Sequence, residues 1–294
     1  RDLGFMLGPR INAAGRLADM RLGIECLLTD DPAHALHLAQ ELNQFNLERR
    51  EREAEMKEQA MFIVDGLLGA ESSQPPPALS VFDESFHEGV VGIVASRLKD
   101  RLHRPTFVFA PSGAVGSSHI LKGSGRSIAG FHLRDALDLI AKRHPEVLLR
   151  FGGHAMAAGC TVAREQFDAF SAALQTVAQE WLSPETLEQR ILTDGPLPPE
   201  HMRLDIVDSF DACVWGQGFA APVFSDDCEV LEQRIVGSGH SKLKLKVAGQ
   251  TLDAIWFGRT DSLPRQVRIA YKLEANEWRN ARNLQLMIEA VEGY

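Results

Sequence analysis

Cysteine is scarce and scattered in this chain: Cys26, Cys160, Cys213 and Cys228 are the only four among 294 residues, and none forms a C-x-x-C pair. That pattern argues against a zinc site or a disulfide framework and fits a reducing cytoplasm. No apolar run is long enough to span a bilayer, so no membrane role is expected, and no signal peptide is visible. An excess of positive charge is also missing. The formal net charge of −9 argues against indiscriminate polyanion binding, although a local basic track remains compatible with it. There is no internal repeat. The first residue is Arg rather than Met, and the opening residues read as the interior of a helix-and-turn segment, which predicts that sequence precedes them.

Glycine-framed polar residues are what the chain does have. Gly123-Ser124-Gly125-Arg126-Ser127 and Gly152-Gly153-His154-Ala155-Met156-Ala157-Ala158-Gly159 each set an Arg or a His among small residues. Gly8-Pro9-Arg10-Ile11-Asn12-Ala13-Ala14-Gly15-Arg16 repeats the theme. Glycine lets a backbone approach an anion closely, and an Arg fork adds charge and directional donors. The chemistry expected is phosphate handling.

Asp31-Pro32 reads as an N-cap with proline at the first helical position, opening a helix that nothing breaks before about Leu68. Its middle, Glu48 to Glu53, is charged all round, as in helices that bridge two domains through solvent. Ser72-Ser73-Gln74-Pro75-Pro76-Pro77 reads as a linker. Strands at Ala78–Asp83, Pro105–Ala110 and Cys160–Val162 then alternate with helices at Val90–Leu102, Leu133–Lys142 and Glu165–Trp181, giving an α/β or α+β domain. Past Gly195-Pro196-Leu197-Pro198-Pro199 the texture becomes β-rich. Runs at Val230–Val236, Lys242–Ala248, Thr251–Phe257, Val267–Glu274 and Leu284–Val291 predict a small OB-fold-like barrel. The expected division is 1–71, 72–185 and 186–294. Acidic residues dominate from Asp194 to Glu229. Cations follow at Lys242, Lys244, Lys246, Arg259, Arg265, Arg268, Lys272, Arg279 and Arg282.

These stretches, with His87-Glu88-Gly89-Val90-Val91-Gly92-Ile93-Val94-Ala95-Ser96-Arg97-Leu98, resemble the RecJ family of single-strand-specific DNA exonucleases, within the DHH phosphoesterase superfamily. The resemblance runs along nearly the whole chain. It implies the end of a DHH-type domain, a linking helix, an α/β substrate-binding domain of the DHHA1 type and an OB-fold. It further implies 5′→3′ hydrolysis of single-stranded DNA in recombination and repair, with Mn²⁺ or Mg²⁺. Single-strand-binding protein and a RecQ-type helicase are the implied partners. No Asp-His-His occurs here. The metal ligands are therefore expected in an N-terminal domain outside this sequence, with none in this chain, and this chain alone is expected not to cut.

The resemblance assigns Ser124 and Arg126 to the 5′ phosphate, with Gly125, Ser127, Gly152 and Gly153 lining the site, and His154 to the scissile phosphate as a donor to developing charge. Read from its neighbours alone, His154 is a core histidine satisfied by backbone or a switch at neutral pH, with metal ligation a lesser alternative. Arg10, Asn12 and Arg16 stand as successive backbone-phosphate contacts or as exposed residues of a capped helix. His87-Glu88 reads more simply as a helix start. Lys242, Lys244 and Lys246 alternate with apolar residues and suit a single-strand track, where Trp256, Phe257 and Trp278 either stack bases or fill the barrel. Two other functions compete: a non-catalytic single-strand-binding scaffold of the same superfamily, and a phosphodiesterase acting on short oligonucleotides or cyclic dinucleotides. A barrel built to hold an extended strand argues against the latter.

Overall fold

The computed structural model describes residues 3–68, 76–114, 116, 119–216, 218–237, 239–278 and 281–293. Residues 72–75 of the expected linker, Arg279 and the Trp278 side chain lie outside the described residues. The chain divides into two compact units, Arg1–Gln189 and Arg190–Tyr294.

The first unit opens with a π-helical turn and three helices, α1 (Gly8–Leu17), α2 (Met20–Leu28) and α3 (Pro32–Leu68). Short acidic side chains set two of the starts. Asp19 accepts from Arg21 N and Asp31 from Ala33 N, both at 2.9 Å. α3 runs for 37 residues because it has two partners. Its first half packs on α1 and α2, burying Leu38 and Leu42. Its second half buries Met56, Ala60 and Val64 with Val94 and Leu98 of the next helix and Val90 just before it. The charged middle is partly tied down: Arg49 bonds the buried Asn46 at 3.2 Å and pairs with Glu53 at 2.7 Å. Glu53 also takes Arg97 at 3.3 Å.

A five-stranded sheet follows, ordered β1-β2-β3-β5-β4: β1 (Leu79–Phe82), β2 (Thr106–Pro111), β3 (Ile120–Arg126), β4 (Arg150–Gly153) and β5 (Ala157–Ala163). β1 and β2 are parallel, joined over α4 (Val91–Leu102); the other pairs are antiparallel. The pleat sorts side chains between two faces. Phe107, Phe109, Leu121, Ala158, Cys160 and Val162 point into a core closed by α5 (Leu133–Arg143) and α6 (Phe167–Trp181), and the short α7 (Pro184–Leu187) follows. Burial pushes the Cys160 thiol far up from its ordinary value, so it stays protonated and acts as an apolar filler. Val81, Val108 and Ala110 point to the other face, under α4 and α3.

The second unit carries α8 (Leu204–Asp211) and five strands, β6 (Phe224–Val236), β7 (His240–Val247), β8 (Gln250–Trp256), β9 (Gln266–Trp278) and β10 (Ala281–Val291). They close in the order β10-β8-β7-β6-β9. All pairs are antiparallel except β8 with β10, the parallel closure of third and fifth strands that marks an OB-fold. Leu243, Leu245, Val247, Trp256, Ile269, Tyr271 and Leu286 fill it. The buried Tyr271 hydroxyl needs an acceptor and donates to Asp226 at 2.7 Å. Burial and that carboxylate hold the phenol protonated.

Candidate nucleic-acid interface

Gly123 to Arg126 lie within a strand, and Gly152 to Gly159 comprise the end of one strand, a short turn and the start of the next. Gly123 and Gly125 lie in β3 between β2 and β5, opposite Phe109 and Phe107. A Cβ on Gly125 would stand 2.4 Å from the Phe107 ring, and one on Gly123 2.3 Å from Phe109. These glycines exist to seat phenyl rings, and their main chain is committed to ladders on both edges. The expectation that Gly125 cradles a phosphate is corrected accordingly. Gly125→Ala is expected to cost about 1–3 kcal/mol through overpacking, read as a lower urea midpoint at unchanged m-value. Gly159→Ala is the contrasting variant. Its Cβ would meet only Gly123 O at 3.6 Å, so stability should hold.

Because Gly123 and Gly125 face inward, Lys122, Ser124 and Arg126 lie on the opposite face, the one that α4 packs against. Register places them in cross-strand rows: Lys122–Thr161–Arg150, then Ser124–Gly159–Gly152, then Arg126–Ala157. The middle row is nearly bare, since Gly152 and Gly159 leave the backbone uncovered. Cations frame it. Lys122 donates to Thr161 Oγ1 at 3.2 Å, and Arg150 is exposed. Arg150 lies outside every glycine-framed stretch, and only the register brings it to the Lys122 row.

Arg126 Nη1 donates to Ser124 Oγ at 3.1 Å and to Gly125 O at 2.8 Å, so the fork is fixed before any ligand arrives. α4 begins against this pair: a Cβ on Gly92 would stand 2.9 Å from both Arg126 Nη2 and Ser124 Oγ. No side chain caps α4; Ile93 N donates back to Val90 O at 2.9 Å, which leaves the amides of Val91 and Gly92 without an internal acceptor among the described residues. Arg16 comes to the same place from α1, donating to Gly89 O at 3.3 Å in the turn before α4. Burial and the Arg16 charge both pull Arg126 below its ordinary pKa. Among the described residues neither arginine has a carboxylate partner. Two guanidiniums, a hydroxyl and an uncapped helix start gather on one surface, a set of donors whose chemistry suits an anion.

The turn after β4 adjoins it. Gly153 adopts φ +142°, and a Cβ there would lie 2.4 Å from Ala158 Cα, so this position requires glycine. Ser127 N donates to Met156 O at 3.0 Å, tying this turn to the end of β3. His154 is exposed, which removes the core-histidine reading. Ser127 is corrected the other way: it is 2% exposed and its hydroxyl donates to Phe131 O at 2.6 Å, bracing the loop from inside.

The α1 trio separates. Asn12 and Arg16, four residues apart, share an exposed face. Arg10 turns away and donates to Asn43 of α3 at 3.0 Å and to Met6 O at 2.6 Å, stapling α1 to α3 rather than offering its charge to a strand.

On the barrel, β7 alternates as expected, with Lys242, Lys244 and Lys246 outward. Its neighbours dilute the row. Lys244 lies opposite Glu232 and Asp253, Lys246 opposite Glu229, and Lys242 pairs with Asp253 at 3.6 Å. Arg259, Arg265, Arg268, Lys272 and Arg282 also pair with carboxylates. Trp256, 3% exposed, is core; Phe257, 57% exposed, stands beside His240 at the end of β8.

Among the described residues no three His, Cys, Asp or Glu side chains gather as a metal site.

Fold and surface together define a DHHA1-type domain and an OB barrel. The DHHA1 domain model matches residues 76–180 and the RecJ OB domain model residues 193–290. The single-stranded-DNA-specific exonuclease RecJ of Dickeya dadantii is 44% identical over 296 residues, covering 98% of this chain and 50% of that protein. RecJ of Escherichia coli is 42% identical over 298 residues, covering 99% and 51%. The crystal structure of RecJ from Thermus thermophilus in complex with Mg²⁺ superposes with a TM-score of 0.77 at 28% identity, over 99% of this chain and 43% of that one. This chain is RecJ-family sequence, and it spans about half the length of the curated relatives it matches.

Proposed function

We propose that this chain is the DNA-engaging part of a RecJ-type 5′→3′ single-stranded-DNA exonuclease of recombination and repair. One observation carries the reading: Arg16, Ser124, Arg126 and the start of α4 converge beside the His154 turn. The 5′ phosphate sits against the two guanidiniums. The bare Gly152–Gly159 row lets the first nucleotides lie on the backbone, and His154 donates toward the phosphodiester that is cut. The three segments 1–71, 72–185 and 186–294 then serve as anchor helix, phosphate grip and strand track. Mn²⁺ or Mg²⁺, named with the Thermus thermophilus structures, is held by residues outside this sequence. A single-strand-binding protein and a RecQ-type helicase are the proposed partners, in the cytoplasm. Among the described residues no helix is long and apolar enough to cross a membrane.

Binding of a short 5′-phosphorylated single strand, followed against its 5′-hydroxyl counterpart across a salt series, tests this. The phosphorylated strand should bind more tightly, and affinity should fall with salt. Since most barrel cations already have carboxylate partners, the slope should report only a few displaced counterions. Equal affinity for both ends, or a preference for blunt duplex, contradicts the assignment.

A further inference from the structure

His87 lies next to the Arg16–Gly89 contact without belonging to the anion-facing group. It stands half-buried in the turn before α4, and its position is specific. His87 O accepts from Val90 N at 3.0 Å, closing the turn, and His87 Nδ1 accepts from Gly89 N at 3.0 Å. The opposite pole of the same residue, Gly89 O, receives Arg16 Nη1. Gly89 has no room to yield, because a Cβ there would stand 2.2 Å from Arg16 O. Imidazole, glycine backbone and guanidinium therefore form one chain of contacts.

We propose that His87 is a positioning residue: by accepting the Gly89 amide through unprotonated Nδ1, it holds the turn that sets Arg16 beside Arg126, making the phosphate grip sensitive to acid. The proposal rests on the anion-binding reading of Arg16 and Arg126. The geometry is that of an Asx-turn, in which a side chain accepts the N–H two residues on. Nδ1 accepts only while it carries no proton. Protonation turns it into a second donor facing the Gly89 N–H, and the turn loses its brace.

The groups facing the imidazole are Arg52 from α3, Glu88 in the turn itself, and Arg16 of α1 through Gly89. Burial, then Arg52, lowers the His87 pKa from 6.5, against a smaller opposing effect of Glu88. A His whose pKa is lowered on folding binds fewer protons folded than unfolded. Its contribution to stability is therefore complete above 6.5 and is lost as pH falls below that value.

His87→Ala and His87→Asn in the whole chain separate the possibilities. Asn offers an oxygen at the same turn position and does not titrate. Affinity for a 5′-phosphorylated strand, relative to the 5′-hydroxyl strand, is measured from pH 7.5 down to pH 5. In His87→Ala the preference should drop about two- to tenfold at neutral pH, the range for one lost hydrogen bond. In His87→Asn it should match wild type at neutral pH and fall less on acidification. The fall that remains in His87→Asn belongs to the terminal phosphate, whose second proton has a pKa of about 6. A ¹⁵N spectrum adds a readout without DNA: the Arg16 Nε–H signal should move with His87 protonation in wild type and not in His87→Asn. An end preference that persists unchanged in His87→Ala, or a His87→Asn profile superimposable on wild type, overturns the proposal. If no protein shows an end preference while the Arg16 signal still follows His87, the anion reading falls and the positioning of Arg16 stands.

Discussion

Arg126→Ala is expected to reduce the preference for a 5′-phosphorylated over a 5′-hydroxyl single strand about ten- to a hundredfold, the equivalent of about 1.5–3 kcal/mol for a charge-assisted hydrogen bond. The magnitude follows from how the side chain is held. Nη1 is occupied by Ser124 Oγ and Gly125 O, so the guanidinium plane is fixed while the rest of the fork remains available. Little rotamer freedom is lost when the ligand binds. Arg16 raises the cost of keeping Arg126 charged, and an anion between the two relieves that repulsion. Arg126→Lys should recover only part of the loss, since one ammonium cannot hold Gly125 O and Ser124 Oγ and also present a fork. Titrating both variants at one ionic strength, with melting curves to confirm folding, checks this. An end preference that survives both substitutions makes Arg126 a strut of the β3 terminus and nothing more.

The sequence reveals the periodic parts of the fold. α3 is legible from the Asp31-Pro32 start and an unbroken run, and β7 from the strict alternation of Lys242 to Val247. β3 and β4 are not legible, because glycine signals a turn. That signal is overridden here by partners distant in sequence: Phe107 and Phe109 supply, from β2, the apolar bulk that Gly123 and Gly125 lack. Once β3 is a strand, its pleat decides which residues reach a ligand. Ser124 and Arg126 go outward, and Gly125 goes inward. Ser127 is lost to the interior because the chain turns there toward Phe131.

Residue type locates the candidate site, but partners decide its members. Arg10 and Arg16 look equivalent as exposed arginines of one helix, yet one meets Asn43 and the other Gly89. The lysines of β7 look like a free basic row, yet β6 and β8 bring Glu229, Glu232 and Asp253 against them. Exposed pairs of this kind contribute about 0–1 kcal/mol and can be exchanged for phosphates, so the pairing mutes the electrostatic share of the proposed strand track without abolishing it.

His154→Ala should separate binding from chemistry most sharply. The side chain is exposed, and its backbone turn is held by the main chain, with His154 N donating to Ala157 O at 2.8 Å. Removing such a side chain should change stability by no more than about 0.5 kcal/mol. In the full-length exonuclease, loss of one donor pre-organised toward developing charge should lower single-turnover cleavage about 10²–10³-fold. Affinity for the strand should change little, because the phosphate grip lies with Arg16, Ser124 and Arg126. Gly153 makes the argument stricter. Its φ of +142° and its closeness to Ala158 fix where the imidazole starts, so Gly153→Ala should displace His154 and cost rate while the ring chemistry stays intact. Melting temperature, strand affinity and single-turnover rate measured on both variants decide the matter. If His154→Ala cuts at the wild-type rate per folded molecule, the imidazole takes no part in the reaction and the turn serves only to hold the strand.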